Sequence, residues 1–190
     1  GLVQAVWALN ALQVAGLSRP PVRLLLNGDE EIGSVFSRPM IESTCADAAA
    51  VLVFEASADG ALKTSRKGVG LFGVTATGVE SHAGLDPVAG ASAIDELARV
   101  VRNLHAVTDY ESGLTVNVGV LRGGTRPNVV AGDAEARLDV RVRTLAQQEH
   151  FDGVVAELAP HDPRASLAVT GGWNRPVMER TEATASVAAL

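Results

Sequence analysis

Apolar residues alternate with polar ones in four stretches between Gly68 and Val169, and this period of two constrains the fold more than any other feature of the chain. Residues at every second position of a strand point to the same face of a sheet, so alternation is typical of antiparallel strands with one covered face. The alternating apolar residues are Phe72, Val74 and Ala76; Val116, Val118 and Val120; Ala136, Leu138, Val140 and Val142; and Leu167 and Val169.

Two segments with helical periodicity lie between these predicted strands. Each places its apolar residues on one stripe of a helix, which predicts a helix that packs on the covered face of the sheet. The stripes consist of Ile94, Leu97, Ala98, Val101 and Leu104, and of Phe151, Val154, Val155 and Leu158. The order β-α-β-β-α-β predicts a split βαβ, ferredoxin-like layer of helices on a four-stranded sheet.

The chain before residue 68 is organised differently, because helical patterns alternate there with short, continuous apolar runs. The pattern predicts a helix over 3–15, a buried strand over 22–27, a helix over 30–42 and a buried strand over 51–55. This alternation is typical of a parallel βαβ sheet. The sequence therefore predicts an α/β and α+β chain in which the antiparallel domain interrupts a parallel one.

The predicted boundaries of this insertion divide the chain into three parts. Residues 1–67 form part of the parallel domain, residues 68–177 form the inserted domain, and residues 178–190 return to the first domain. The helical patterns at both ends lack capping residues, with no cap before Leu2 and an apolar pattern running to Leu190. From this we expect the chain to be a segment of a longer protein.

Acidic residues follow both predicted parallel strands. Asp29, Glu30 and Glu31 come directly after the first strand, and Glu55 ends the second. One interpretation is structural, with Asp29 capping a helix and the two glutamates lying at the positive end of its dipole. The other is functional, because ligand sites form beyond the carboxyl ends of parallel strands and like charges gathered there favour a divalent cation.

Charge and hydropathy exclude two classes of partner. The net charge is −6, and no stretch concentrates Lys or Arg as a nucleic-acid site requires. No apolar run approaches the length of a membrane span, and the first residues lack the basic flank of a signal peptide. We therefore expect neither nucleic acid nor membrane as a partner. The compartment is not fixed by the sequence, with the cytoplasm favoured slightly over the periplasm.

Five motifs together resemble the co-catalytic zinc peptidases of the aminoacylase and glutamate carboxypeptidase type. They occur in the order and with roughly the spacing of that family, and they cover essentially the whole chain. The motifs are NGDEEIGS, VLVFEASADG, SHAGLDPVAGASAI, RPNVVAGDAEARLDVRVR and WNRP. The resemblance implies a two-zinc catalytic domain interrupted by a four-stranded, two-helix lid domain that forms a homodimer.

The resemblance also implies roles for particular residues. Glu30 resembles the general base, whereas Glu31 and Glu55 resemble carboxylate ligands of the two zinc ions. His82, in the SHAG motif, resembles the lid histidine that reaches the partner's site and stabilises the oxyanion. Its structural alternative is a histidine that caps the helix predicted to start near Asp86. His105, His150 and His161 match no motif of the family.

Three further residues, Asn128, Arg141 and Arg175, resemble those that bind the carboxylate of the substrate, a task suited to the planar guanidinium of arginine. For Arg141 the alternative is a solvated side chain on the polar face of its strand. The substrate implied is a peptide or an N-acyl amino acid. The family's bridging aspartate and its histidine ligands have no counterpart in this sequence, so three of the five zinc ligands are missing.

The function implied is hydrolysis of a peptide or N-acyl amide bond by metal-activated water, as in glutamate carboxypeptidases. An N-acyl-amino-acid or succinyl-diaminopimelate deacylase of the same family is the alternative enzyme. An alternative of another class is a non-catalytic dimerisation module. We expect two Zn²⁺ in the complete enzyme, but no tightly bound zinc and no activity in the isolated segment.

Overall fold

The computed structural model describes residues 1–55, 57 and 59–189, which form two compact units. One unit comprises Gly1–Lys63 together with the residues from Glu182 onward, and the other is Thr64–Thr181. The helices are α1 (Leu2–Val14), α2 (Arg38–Cys45), α3 (Ala93–Ala106), α4 (Leu145–Ala156) and α5 (Glu182–Ala188); the strands are β1 (Gly68–Thr77), β2 (Thr115–Gly123), β3 (Asp133–Val142) and β4 (Ser166–Arg175). None of the helices within the described residues has the length and apolar character needed to cross a membrane.

The second unit is a four-stranded antiparallel sheet with the strand order β2-β3-β1-β4. The central strand β1 pairs with β3 along its whole length, from Gly68 opposite Val142 to Thr77 opposite Asp133. We refer to the two ends of the sheet as the Val69 end and the Thr77 end, after residues of β1. With α3 after β1 and α4 after β3, the order is β-α-β-β-α-β. The predicted ferredoxin-like arrangement is therefore confirmed.

The core of this unit lies between the sheet and its two helices. Phe72 from β1, Phe151 from α4 and Trp173 from β4 pack together, with ring centroids 5.2 to 6.0 Å apart. The indole Nε1 of Trp173 donates to Asp152 Oδ1 at 2.8 Å, which satisfies its one polar group. The alternating residues of β3 complete the core; Ala134, Ala136, Leu138, Val140 and Val142 are all buried.

Helix α3 begins at Ala93, because the Ser92 hydroxyl accepts a hydrogen bond from Asp95 N at 3.2 Å. Its buried stripe is displaced from the predicted one. Leu97 and Leu104 are buried as predicted, but Ile94 is 45% exposed, and the other buried apolar residues of the helix are Ala93 and Val100. A spacing of three and four residues fits both stripes, and the contact with the sheet selects the one that contains Ala93.

A pair of backbone hydrogen bonds extends the second unit beyond its sheet. Arg66 N donates to Met178 O at 2.8 Å, and Met178 N donates to Arg66 O at 3.0 Å. This bridge ties the segment before β1 to the segment after β4. The compact units consequently divide after Lys63 and after Thr181, a few residues outside the boundaries predicted after residues 67 and 177.

The two parallel strands predicted in the first unit do not form, and this prediction was wrong. Segments 22–27 and 51–55 are without regular secondary structure, and their apolar side chains are exposed, for example Leu26 at 64% and Val53 at 74%. A strand exists only when a neighbour completes its ladder of hydrogen bonds, and no strand is described beside either segment. Apolar composition alone cannot supply that neighbour.

The helix predicted over 30–42 is also broken. A single 3₁₀ turn covers Glu30–Ile32, and α2 starts only at Arg38. Between them Gly33 and Ser34 have φ angles of +92° and +56°, in the left-handed region that ends a helical turn. The chain therefore reverses directly after the glutamates, and α2 restarts with Pro39 in its first turn.

Candidate active site

The acidic motif forms a closed loop that is anchored by Asp29. The Oδ2 atom of Asp29 accepts hydrogen bonds from Phe36 N at 2.9 Å and Ser37 N at 3.0 Å. The loop is closed a second time where Ser34 N donates to Asp29 O at 2.8 Å. The interpretation of Asp29 as a helix cap is wrong, because its side chain makes no capping bond to the following turn.

Asp29 differs chemically from the two glutamates that follow it. Its hydrogen bond with Ser37, supported by the backbone N–H groups, lowers the pKa of Asp29 to about 2. The carboxylate of Asp29 thus holds the loop closed through hydrogen bonds, whereas Glu30 is only partly buried and Glu31 is exposed. The glycine and serine that end the turn were the sequence signal for this closed loop.

Acid should release this anchor, and the sign follows from the lowered pKa. Since the folded-state pKa of Asp29 is about 2 and the ordinary value is 3.8, its contribution to loop stability is present above about pH 4 and is lost as pH falls through 2. An NMR titration of the Asp29 carboxyl carbon should give a midpoint near 2. Ser37→Ala should move the midpoint upward. A parent midpoint near 4 would contradict the described loop.

Glu55 lies at the end of the exposed segment 51–55 and is itself exposed. The resemblance implies that Glu31 and Glu55 bind zinc, which in proteins takes four ligands dominated by histidine and cysteine. Within residues 1–55, 57 and 59–189, no group of three or more histidine, cysteine or acidic side chains comes together to hold a metal ion. Two glutamates are too few, so these residues by themselves do not fit a zinc site.

The imidazole of His82 is held in a defined orientation by its own turn. Its Nδ1 atom accepts hydrogen bonds from Gly84 N and Leu85 N, both at 3.1 Å. A ring nitrogen that accepts hydrogen bonds carries no proton, so the neutral ring has its proton on Nε2. The side chain is exposed. His82 therefore presents an N–H donor to solvent, which is the property that stabilisation of an oxyanion needs.

The structural alternative for His82 is wrong, because the 3₁₀ turn that starts after Asp86, Pro87–Ala89, has no side-chain cap, and α3 starts only at Ala93 and is capped by Ser92. What fixes the backbone of His82 is the neighbouring segment that contains Asn128. Ala83 N donates to Asn128 O at 3.0 Å, and His82 forms an antiparallel bridge with Val129. The fold thus brings His82 and Asn128 together near the Thr77 end of the sheet, and both are exposed.

Arg141 and Arg175 lie in another place. Both are paired with Val69, on opposite sides of β1, so they belong to one row across the Val69 end of the sheet. Eight residues of extended strand separate Val69 from Thr77, a distance of about 27 Å. Within one copy of the chain, the sheet therefore holds these arginines too far from His82 for both to contact the same small molecule.

Arg141 already has an anionic partner. Its Nε and Nη2 atoms donate to the two carboxylate oxygens of Asp139 at 2.6 and 2.8 Å. This two-pronged hydrogen bond raises the pKa of Arg141, so the guanidinium remains charged. The geometry is the one in which arginine binds any carboxylate, and a substrate carboxylate would have to compete with Asp139 or join it.

The chain is similar to known hydrolases in sequence. Residues 64–164 match the family model of the peptidase dimerisation domain, M20_dimer. Carboxypeptidase G2 of Pseudomonas sp. (strain RS-16) is 32% identical over 168 residues, covering 85% of this chain and 40% of the relative. Acetylornithine deacetylase of Myxococcus xanthus is 33% identical over 136 residues, covering 66% of this chain and 34% of the relative.

Solved structures include similar folds. The crystal structure of a tripeptidase from Staphylococcus aureus superposes with a TM-score of 0.51 at 22% identity, covering 66% of this chain and 34% of the tripeptidase. At this identity the likeness concerns the fold alone. The chain spans less than half the length of either curated relative.

Proposed function

We propose, since the chain belongs to the M20 peptidase family, that the whole protein hydrolyses the amide bond between a C-terminal amino acid and the peptide or acyl group that precedes it. The similarity to carboxypeptidase G2 over 168 residues supports a hydrolase of this class. The observation that carries the proposal is His82, whose imidazole is held as an exposed N–H donor by two backbone amides.

The proposal divides the acidic residues by task. Glu30 is the general base, because it is half-buried on a turn that Asp29 anchors in place. Glu31 and Glu55 are carboxylate donors to the two zinc ions that the resemblance implies. Since the described residues do not complete such a centre, the zinc dependence rests on the resemblance and not on the geometry.

The protein groups account for the proton transfers of the reaction. Glu30 accepts a proton from water as the water oxygen bonds to the amide carbon, and the carbonyl oxygen becomes negatively charged. His82 Nε2–H donates a hydrogen bond to that oxyanion. The protonated Glu30 then gives its proton to the amide nitrogen as the carbon–nitrogen bond breaks. The products are a carboxylic acid and a free amino acid.

A carboxylate-binding role for Asn128, Arg141 and Arg175 completes the proposal. A free carboxylate next to the scissile amide is common to peptides and N-acyl amino acids, and arginine recognises it through two parallel hydrogen bonds. Because about 27 Å of strand separates the arginine row from the Thr77 end, we assign Arg141 and Arg175 to the site of their own copy and His82 and Asn128 to the site of its partner, so that each reaction uses groups from both copies.

A homodimer through the second unit follows from this assignment. The sheet has β2 as an edge strand, and its residues from Val120 to Gly123 are exposed. An edge strand of this length leaves backbone groups that a second copy can pair or cover. The match of residues 64–164 to a peptidase dimerisation domain supports the same assembly.

The test is an assay of the whole protein, supplied with zinc, on substrates that differ in one group. N-acyl glutamates with a free α-carboxylate should be hydrolysed, and the same compounds with that carboxylate amidated should not. N-acetylornithine tests the second candidate, a deacylase, which the similarity to acetylornithine deacetylase favours. If the metal-loaded protein hydrolyses none of these amides, the proposal fails and the non-catalytic dimerisation module takes its place.

The 190-residue chain by itself is expected neither to retain zinc through dialysis nor to hydrolyse N-acyl glutamates. The reason is that Glu31 and Glu55 lack the imidazole and bridging carboxylate ligands that a zinc centre of this kind needs. Metal analysis after dialysis and an amidase assay on the same sample would check both statements. Two equivalents of zinc together with turnover would contradict the assignment of only two ligands to this chain.

A further inference from the structure

We propose that Arg164 is a positioning residue for His82, because its guanidinium binds backbone carbonyls at the far end of the loop that holds the imidazole. We call this set of hydrogen bonds the clamp. This inference rests on the role proposed for His82. We call residues 80–90 the histidine loop. Arg164 is remote from it in sequence and belongs to none of the motifs that resemble the peptidase family.

Arg164 binds three successive carbonyl groups of the histidine loop. Its Nη1 atom donates to Val88 O at 3.0 Å and to Ala89 O at 3.4 Å, and its Nη2 atom donates to Gly90 O at 2.9 Å. A guanidinium carries several donors in fixed directions, so one side chain can bind all three carbonyls at once. The guanidinium therefore fixes both the position and the orientation of this part of the loop.

The guanidinium is itself held by Asp162. Nη2 and Nε of Arg164 donate to the two oxygens of this carboxylate at 2.6 and 3.0 Å. The hydrogen bonds with Arg164 lower the pKa of Asp162 to about 2, so Asp162 remains an anion near neutral pH. The guanidinium consequently has a fixed counter-charge next to it, and its Nη2 atom is shared between Asp162 and Gly90 O.

A buried carboxylate connects the clamp to the core. Glu96, in the first turn of α3, is 3% exposed and accepts hydrogen bonds from His161 N at 2.7 Å and Asp162 N at 2.8 Å. A carboxyl group this deeply buried needs such hydrogen-bond partners. Glu96 thus fixes the backbone of Asp162 against a helix that packs on the sheet, and Arg164 extends that support to the histidine loop.

Hydrogen bonds, rather than apolar packing, hold the histidine loop. The side chains of Leu85 and Val88 are both 83% exposed, so they stabilise nothing by burial. At its base the loop is closed by Val79 and Ala91, whose backbones exchange two hydrogen bonds of 2.9 Å. Its other flank is fixed by the backbone of Asn128. Arg164 adds side-chain hydrogen bonds at residues 88–90.

The clamp reaches His82 through Gly90. A Cβ atom built on Gly90 would lie 2.5 Å from Ser81 Oγ, so the backbone bound by Arg164 is packed directly against the residue before His82. Within the same loop, Gly84 N and Leu85 N supply the two hydrogen bonds to His82 Nδ1. A displacement of the loop would weaken these bonds and free the imidazole to exchange tautomers or rotate.

Arg164→Lys should lower kcat of the whole protein about ten- to a hundredfold with KM unchanged, since small errors in the placement of a reacting group have effects of that order. Lysine keeps the charge but cannot span three carbonyls and a carboxylate. The matched control is Arg99→Lys, because Arg99 also donates twice to an aspartate, Asp95, from the surface of α3. We expect Arg99→Lys to leave kcat unchanged.

The double mutant shows whether Arg164 acts through His82. If it does, adding Arg164→Lys to His82→Ala should lower kcat no further. The proposal would be overturned if Arg164→Lys lowered kcat by the same factor in the His82→Ala variant as in the parent. It would also be overturned if Arg99→Lys lowered kcat as much as Arg164→Lys does. If His82→Ala alone leaves kcat unchanged, the role proposed for His82 fails instead, and Arg164 is then judged by a measurement that needs no activity.

That measurement is the tautomer of His82 in the 190-residue chain, read from the ¹⁵N shifts of its two ring nitrogens at a pH where the ring is neutral. The parent and Arg99→Lys should show a protonated Nε2 and an unprotonated Nδ1. Arg164→Lys should show averaged shifts for both nitrogens. Unchanged shifts in Arg164→Lys would mean that the loop keeps His82 in place without the clamp, and would overturn the inference.

Discussion

Glu30→Gln is expected to reduce turnover by about 10²- to 10⁴-fold, the usual loss when a general base is removed. Glutamine has nearly the shape of glutamate but cannot accept the proton of the attacking water. The loop should remain intact, because Asp29 and not Glu30 accepts the hydrogen bonds from Phe36 N and Ser37 N. Measurement of kcat and KM in the whole protein, with metal content determined on the same sample, tests this result.

The neighbouring residue provides the matched control. Glu31→Gln makes the same chemical change one position along the same 3₁₀ turn. A lost metal ligand alters the centre itself, so this variant should lose bound metal, whereas Glu30→Gln should keep it. If Glu30→Gln is as active as the parent, the assignment of the base is wrong. If both variants keep their metal, Glu31 is not a ligand.

His82→Ala should lower kcat by about 10²- to 10³-fold without changing metal content, since that is the effect of removing one donor to an oxyanion. The geometry supports the donor role because two backbone amides hold Nδ1 and leave Nε2–H as the exposed donor. His105→Ala is the control, because His105 is exposed in the last turn of α3 and has no proposed role. Equal rates for both variants would remove His82 from the reaction.

The fold of the second unit could be predicted from the sequence because the alternation of apolar residues within each strand determines which face is covered. Alternation in β1 and β3 places Phe72 and Leu138 on the covered face, and a one-residue slip would turn them and the other apolar residues of the set to solvent. Helix α3 was less well specified. Its apolar spacing fits two adjacent stripes, and only contact with the sheet buries Ala93 while leaving Ile94 partly exposed.

The first unit shows what local pattern cannot determine. The runs 22–27 and 51–55 have the composition of buried strands, but a strand also needs a hydrogen-bonded neighbour, and none is described beside them. Likewise Asp29 looked like a helix cap from its position before two glutamates. The left-handed Gly33 and Ser34 end the turn early, so its carboxylate binds amides seven and eight residues away.

In the candidate site, too, the motif around His82 could be recognised in the sequence, whereas its contacts with distant segments could not. That His82 would be a donor was expected from the motif, but its tautomer depends on the amides of Gly84 and Leu85. The approach of Asn128 to His82 and the clamp by Arg164 join segments that lie far apart in the chain. No spacing in the sequence indicates either contact, because each results from the packing of the whole unit.

Mixing two inactive variants tests most directly whether two copies of the protein share the groups for one reaction. A heterodimer of Glu30→Gln with His82→Ala has one site with an intact base and an intact donor from the opposite copy. After equal mixing and random exchange, about a quarter of the parent activity should return, because half of the dimers are mixed and each has one complete site. No recovery, although exchange of subunits is demonstrated by labelled chains, would contradict the shared site.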